Sequence, residues 1–393
     1  QGVLRRVRGR APVADDQKQL RIDEQLRFAD GLLGRGHYAL AIEEYQRLIR
    51  EYPNDPLVAD AWTQLAEAYA AQGRREQALQ LYDEFLRRFP NAATRAAAET
   101  NRARLLLGSD QAEAQAQGRR LLLELKGRED VPEVVREAAA YYLARHLIDH
   151  KAGAKTAWRE MRKLAALPVT DATRHRFRAT ARTEVAGELS RQGQAAAALA
   201  LLAPLMADDA LPAELRNTAL QMTAAIHWKT GDFAAAADDY GRLATLFPES
   251  EAGREAPLRR LEALYQAGDG RTLIREADLL LAKLPQSAGR EQVLLLKGAG
   301  LELAGFQASA VETYTELLSS GGDRDRLRQA AERKVACLRQ DNQPDAAIAA
   351  VNEWLRQDRL PPEVLADLTI LAAAPPAAPA AAQALLQETV ASI

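Results

Sequence analysis

One cysteine, Cys337, stands in a chain of 393 residues. A lone cysteine closes no disulfide within the chain and rules out metal frameworks built on paired cysteines. Its neighbours Ala336 and Leu338 mark it as a small buried hydrophobe rather than a reactive thiol. Long apolar runs are lacking as well: no stretch approaches the roughly 20 residues that a membrane-spanning helix requires. Neither sign of charge dominates, since the formal net charge is −2. Without a basic excess there is no broad surface to neutralise a phosphate backbone, so no nucleic-acid partner is predicted.

Aromatic residues make up only 5% of the chain, although 47% of it is hydrophobic. Alanine fills much of the difference, while valine, isoleucine and threonine are sparse. Alanine has the highest helix propensity and β-branched residues favour strands, so the composition points to an all-α protein with no β-sheet. Small side chains also let helices approach closely.

Sequence signatures of catalysis are missing. No G-x-x-x-x-G-K-[ST] loop, no dinucleotide-type G-x-G-x-x-G after a strand and no G-x-S-x-G elbow occurs. The nearest approach to a metal motif is HLIDH, which puts His146 and His150 one helical turn apart. A zinc protease would need glutamate directly after the first histidine, where Leu147 stands. No enzyme activity, catalytic residue, metal or cofactor is therefore predicted.

What the chain does contain is a repeat. GHYALAIEEYQRLIREYPNDP, residues 36–56, returns as GRREQALQLYDEFLRRFPNAA, residues 73–93. Gly36, Ala41, Tyr45 and Pro53 become Gly73, Ala78, Tyr82 and Pro90, each 37 positions on. Ahead of the second copy, Trp62, Leu65, Ala66 and Tyr69 form an i, i+3, i+4, i+7 stripe of a first helix. Gly73 breaks that helix, Ala78, Tyr82 and Phe85 line a second one, and Pro90 ends the unit. Further units follow Gly193, Gly231 (with Ala236 and Tyr240), Gly268, Gly305 (with Ala310 and Tyr314) and Asn342. Residues 94–127 and 134–168 have helical pairs of the right length with degenerate signatures, which brings the expected number to about nine.

The order Trp62, Leu65, Ala66, Tyr69, Ala78, Tyr82, Pro90 resembles the tetratricopeptide repeat pattern W-x2-L-G-x2-Y, A-x3-F, P. Alanine and tyrosine replace the family's glycine and phenylalanine. The resemblance implies a right-handed α-solenoid of helical hairpins, in which each layer buries its neighbour's apolar stripe. Ala41, Tyr45, Trp62, Ala78, Tyr82, Pro90, Ala236, Tyr240, Ala310 and Tyr314 are then structural, with no room at the alanines for a larger side chain. The expected organisation is a basic arm at 1–21, one array at 22–168 and a second at 169–357. A capping helix and an Ala/Pro-rich tail follow at 358–393, with a boundary near LPVTDATRHR, residues 167–176.

The family's groove positions, on the first helices, fall on Asp23, Leu26 and Asp30, then Asp60, Thr63 and Glu67, and later on Gln221 and Trp228. These are the candidate partner-binding residues, predicted to run from acidic to neutral and apolar. Trp228 is open to packing as well as to ligand contact. Leu26 and Asp30 replace the lysine and asparagine with which chaperone-binding members clamp a carboxylate, which argues against that role. The phrases YQRLIREYPNDPLVADA and YDEFLRRFPNAATRAAA, within 38–100, are similar to bacterial cell-envelope members of the family. Among these are the periplasmic Tol-Pal-associated cell-division coordinator and the outer-membrane barrel-assembly lipoprotein.

Gln1, followed by a polar and basic stretch, fits a terminus left by signal-peptide removal, which implies export to the periplasm, and fits equally a boundary cut from a longer chain. RRVRGR, with Arg5, Arg6, Arg8 and Arg10, is a solvated arm or a tether to an anionic surface. The expected function is a non-enzymatic scaffold that binds protein or peptide partners in a cell-envelope complex. A cytoplasmic adaptor or regulatory module of a larger protein is the alternative.

Overall fold

The computed structural model describes residues 14–392 apart from 54, 152, 170–175, 208, 210, 285–288, 321–322, 358–361 and 375–378. Of the basic arm expected at 1–21, residues 1–13 lie outside the described residues and 14–21 belong to α1, while most of the 167–176 segment also lies outside them. Among the described residues there are α-helices and one short 3-10 turn, and no strand.

Helices α1 (Ala14–Gly34) and α2 (Tyr38–Glu51) form the first hairpin, followed by α3 (Ala59–Ala71) with α4 (Arg75–Arg88) and α5 (Arg95–Leu107) with α6 (Ala112–Gly127). Next come α7 (Glu133–Asp149) with α8 (Ala154–Ala166), then α9 (Arg176–Arg191) and α10 (Ala195–Ala207), and α11 (Ala213–Thr230) with α12 (Phe233–Leu246). Then α13 (Glu251–Gln266) pairs with α14 (Gly270–Lys283), α15 (Arg290–Leu303) with α16 (Gln307–Ser320), and α17 (Arg324–Gln340) with α18 (Pro344–Gln357). Helices α19 (Pro362–Ala373) and α20 (Pro379–Ser392) complete the chain of elements.

Two compact units divide within α9, at Val185 and Ala186. Inside each unit the architecture is a solenoid: helices pack on their sequence neighbours from α1 to α8 and from α10 to α20. First helices of adjacent hairpins also touch, α1 with α3, α5 with α7, α13 with α15 and α15 with α17.

A left-handed residue makes most of the hairpin turns. Gly36, Gly73, Gly193, Gly231, Gly268 and Gly305 have φ between +75 and +83°, and Lys151 and Asn342 adopt +55 and +58°. At seven of these turns the following N–H reaches a carbonyl five residues back, as in His37 to Leu32 and Arg74 to Tyr69. That bond satisfies an orphan carbonyl at the helix end and fixes the hairpin angle. The α5–α6 turn has no left-handed residue, since Gly108 sits at φ −80°, which is why this unit lacks the sequence signature.

Ala41, Ala78, Ala236 and Ala310 have no exposed surface, and neither do Tyr45, Tyr82 and Tyr314. Trp62 is buried. Tyr240, expected in the core, is only half-buried, and Pro90 is exposed, as a helix terminator can be. Cys337 is buried, and burial pushes its thiol up to about 12.

Polar ties reinforce the stack. Glu160 on α8 accepts from Lys126 on α6 at 2.7 Å and from Lys163 at 2.9 Å. Those hydrogen bonds hold its carboxyl down to about 2. A depressed folded-state value stabilises the fold above the ordinary glutamate range and loses that contribution as pH falls towards about 2. Glu160→Gln is expected to cost on the order of 1 kcal/mol at neutral pH, because Glu160 keeps some solvent contact. In urea titrations the gap between variant and wild type should close by pH 2 to 3; a gap independent of pH would refute the assignment.

Candidate functional site

The inner faces of α1, α3 and α5 line a cavity of about 310 Å³. Leu26 and Asp30 come from α1, Asp60, Thr63, Gln64 and Glu67 from α3, and Ala97, Ala98 and Asn101 from α5. Five of the six N-terminal positions predicted from sequence therefore meet in one place. Helical spacing explains this: positions 3, 4 and 7 apart share a face, and the 37-residue period repeats that face on the next first helix. Asp23 lies outside the lining and accepts from Gln19 at 2.7 Å.

The carboxylates are not equivalent. Asp30 takes a hydrogen bond from the Tyr45 hydroxyl. Glu67 takes one from the Tyr82 hydroxyl and two from Arg104 Nη2, at 3.1 and 2.9 Å. Burial pushes both phenols up, and the neighbouring carboxylates push them further, so each tyrosine stays a proton donor. Asp60 is exposed, and no cation pairs with it among the described residues. Thr63 turns its hydroxyl to the Asp60 carbonyl at 2.9 Å.

Arg104 escaped the sequence reading. It lies 37 residues beyond Glu67, as Glu67 lies beyond Asp30, and the bare period would have found it. Without a glycine turn the register was lost in 94–127. In the following hairpin Arg145 pairs with Glu184 on α9 and with Asp149. The position held by Asp30 and Glu67 in the first two hairpins is thus basic in the third.

In unit 2, Gln221 is exposed and donates to Asn217 at 3.0 Å. Trp228 is half-buried and sits edge-on to Phe233 at 5.3 Å, packed on the core around Ala236 and Leu261. Neither lines a cavity of about 510 Å³ in this unit, which takes Glu255, Leu258, Glu262 and Gln292 from α13 and α15.

The histidine pair is a packing feature. The rings of His146 and His150 stack at 4.2 Å, and His150 Nδ1 lies 2.9 Å from the His146 carbonyl. Burial, with His150 and Arg119 nearby, keeps the His146 imidazole below its usual range. Among the described residues no group of three His, Cys, Asp or Glu side chains is placed to hold a metal. Nor is any helix among them long and apolar enough to cross a membrane.

The tetratricopeptide repeat family model matches residues 26–93, which include the α1 and α3 sides of this cavity. No curated protein matches the sequence. Among solved structures the chain is similar to the TPR domain of P58(IPK), at 17% identity, with 94% of this chain and 98% of that one covered and a TM-score of 0.27. It is also similar to the APC/C hetero-tetramer Cut9–Hcn1, at 14% identity, 95% and 73% coverage and a TM-score of 0.37. A tetratricopeptide repeat protein from Parabacteroides merdae gives 12% identity, 80% and 98% coverage and a TM-score of 0.28. At these values the likeness carries no statement about sites. The first hairpins and the cavity they line are the ground for a functional reading.

Proposed function

We propose that this chain is a non-enzymatic protein-interaction scaffold that binds extended segments of partner proteins along its first helices. The α1–α3–α5 cavity carries the reading: three consecutive hairpins present polar side chains and an apolar floor, Leu26, Ala97 and Ala98, to one space. Neighbouring helices hold those side chains in place, and a preformed surface limits the ordering cost of association. Asp60 offers a carboxylate to a basic residue of the partner, with Asp30 beside it. The likeness of 38–100 to periplasmic and outer-membrane members supports a place in the bacterial cell envelope, with the chain organising a complex there.

A photo-crosslinking side chain at Thr63 tests the site. It should capture a partner in cells of the native organism, whereas one at exposed Glu43 on α2 should not. Asp60→Lys should reduce the Thr63 product by roughly tenfold, the range expected when a close charge pair becomes a repulsion. Equal capture from both positions, or no response to Asp60→Lys, would remove the groove from consideration. Fractionation of the tagged full-length protein tests location, and recovery with the cytosol would favour a cytoplasmic adaptor.

A further inference from the structure

We infer that Arg104 is an internal occupant of an arginine-binding position in the groove, and that a partner's arginine displaces it. The inference rests on the groove reading above and names the side chain the groove is built to take.

Four observations converge on it. Arg104 stands on α5 at the position that Glu67 holds on α3 and Asp30 on α1, just beyond Asn101 at the end of the cavity. Its Nη2 donates to both Glu67 oxygens, and the two side chains remain 32% and 31% exposed, so solvent and a ligand can reach the pair. Glu67 does not depend on Arg104 for its position, because the Tyr82 hydroxyl also holds it. The guanidinium lies 5.8 Å from the centre of the Tyr142 ring on α7. A carboxylate beside an aromatic face suits a planar, weakly hydrated cation, and so selects arginine over lysine.

The internal occupant fits imperfectly. Arg104 Nε is buried and has no acceptor, and an unmade hydrogen bond at a buried donor weakens the arrangement. An arginine entering from the groove approaches along a different stem and is free of that constraint. The partner class follows: an extended protein segment with at least one arginine, set to reach Glu67 while a second cation meets Asp60 or Asp30.

Fluorescence anisotropy with a labelled 12-residue peptide of alternating alanine and arginine, and its lysine counterpart, tests this on the full chain. Arg104→Ala and Arg104→Met should each tighten binding of the arginine peptide by roughly 2- to 5-fold, the scale of a partly exposed ion pair. The arginine peptide should bind the variants at least about threefold better than the lysine peptide. Glu67→Gln in the Arg104→Met background should abolish the gain. Arg104→Met keeps most of the aliphatic stem, so one variant stays folded if alanine proves too disruptive; thermal unfolding checks both. Unchanged or weaker binding by folded variants would overturn the inference. If Asp60→Asn still weakens the peptide in that case, the groove reading stands and Arg104 is only a brace. If no protein binds either peptide, or Asp60→Asn has no effect, both fail.

Discussion

Arg178→Met is expected to cost unit 1 about 3–5 kcal/mol, the largest single effect predicted for this fold. Arg178 on α9 is 4% exposed and Glu137 on α7 is 6% exposed. Nε donates to Glu137 at 2.7 Å, Nη1 to the Pro168 carbonyl at 2.8 Å and Nη2 to Glu133 at 2.7 Å. A buried ion pair gains little over a well-packed apolar pair, because both charges lose their water. Removing one partner is different, since the other charge stays behind in low dielectric. Glu137 has no reserve: its Oε2 already lacks a partner. Glu133 loses the same cation, but its side chain is 63% exposed and regains water, so its share of the loss is small. The companion Glu137→Met/Arg178→Met variant should recover most of the loss. Urea unfolding of the two singles and the double would decide; a single-variant loss below about 1 kcal/mol, within the range of surface changes, would contradict the burial argument.

Gly298→Ala should destabilise unit 2 by about 1–3 kcal/mol through overpacking. A Cβ at Gly298 would stand 2.3 Å from Tyr314 Cε1 and 2.5 Å from Cζ. Alanine in place of a mid-helix glycine normally gains about 0.5–1 kcal/mol, so two effects oppose each other. The clash wins because Tyr314 has no exposed surface and its hydroxyl is tied to Glu302. Burial and that carboxylate push the phenol up, so the hydroxyl remains a proton donor at alkaline pH. Shrinking the tyrosine should reverse the sign: Gly298→Ala in a Tyr314→Leu background should cost nothing or stabilise. Chemical unfolding of all four proteins measures the coupling, and equal effects of Gly298→Ala in both backgrounds would rule the contact out.

These two residues show how differently parts of the fold were readable. Gly298 occupies the register of Ala66. Sequence marks both as small first-helix positions, but it does not show what the difference does. With Ala66, Tyr82 reaches Glu67 on the same level; with Gly298, Tyr314 lies flat on the helix and reaches Glu302, one turn on. The hairpin after Gly268 is similar. It carries Leu273 where other units carry alanine, and Gly300 makes the room, since a Cβ there would meet Leu273 Cδ2 at 2.7 Å. Size is conserved across the interface, not at the position, and only the packed pair reveals it. Lys151 takes a left-handed turn that no sequence rule assigns to lysine.

Local physics set the rest. Helix propensity, apolar stripes at 3.6-residue spacing and glycine at the turns act within one hairpin, so the amino-acid order alone determined an all-α chain of helical hairpins and the first-helix face that lines the α1–α3–α5 cavity. Long-range pairing was decided in three dimensions. Tyr45 and Tyr82 draw Asp30 and Glu67 into hydrogen bonds, Arg104 answers Glu67, and Arg178 seals Glu137 between helices 41 residues apart. Such contacts depend on distances between layers, and those are fixed only once the layers have packed.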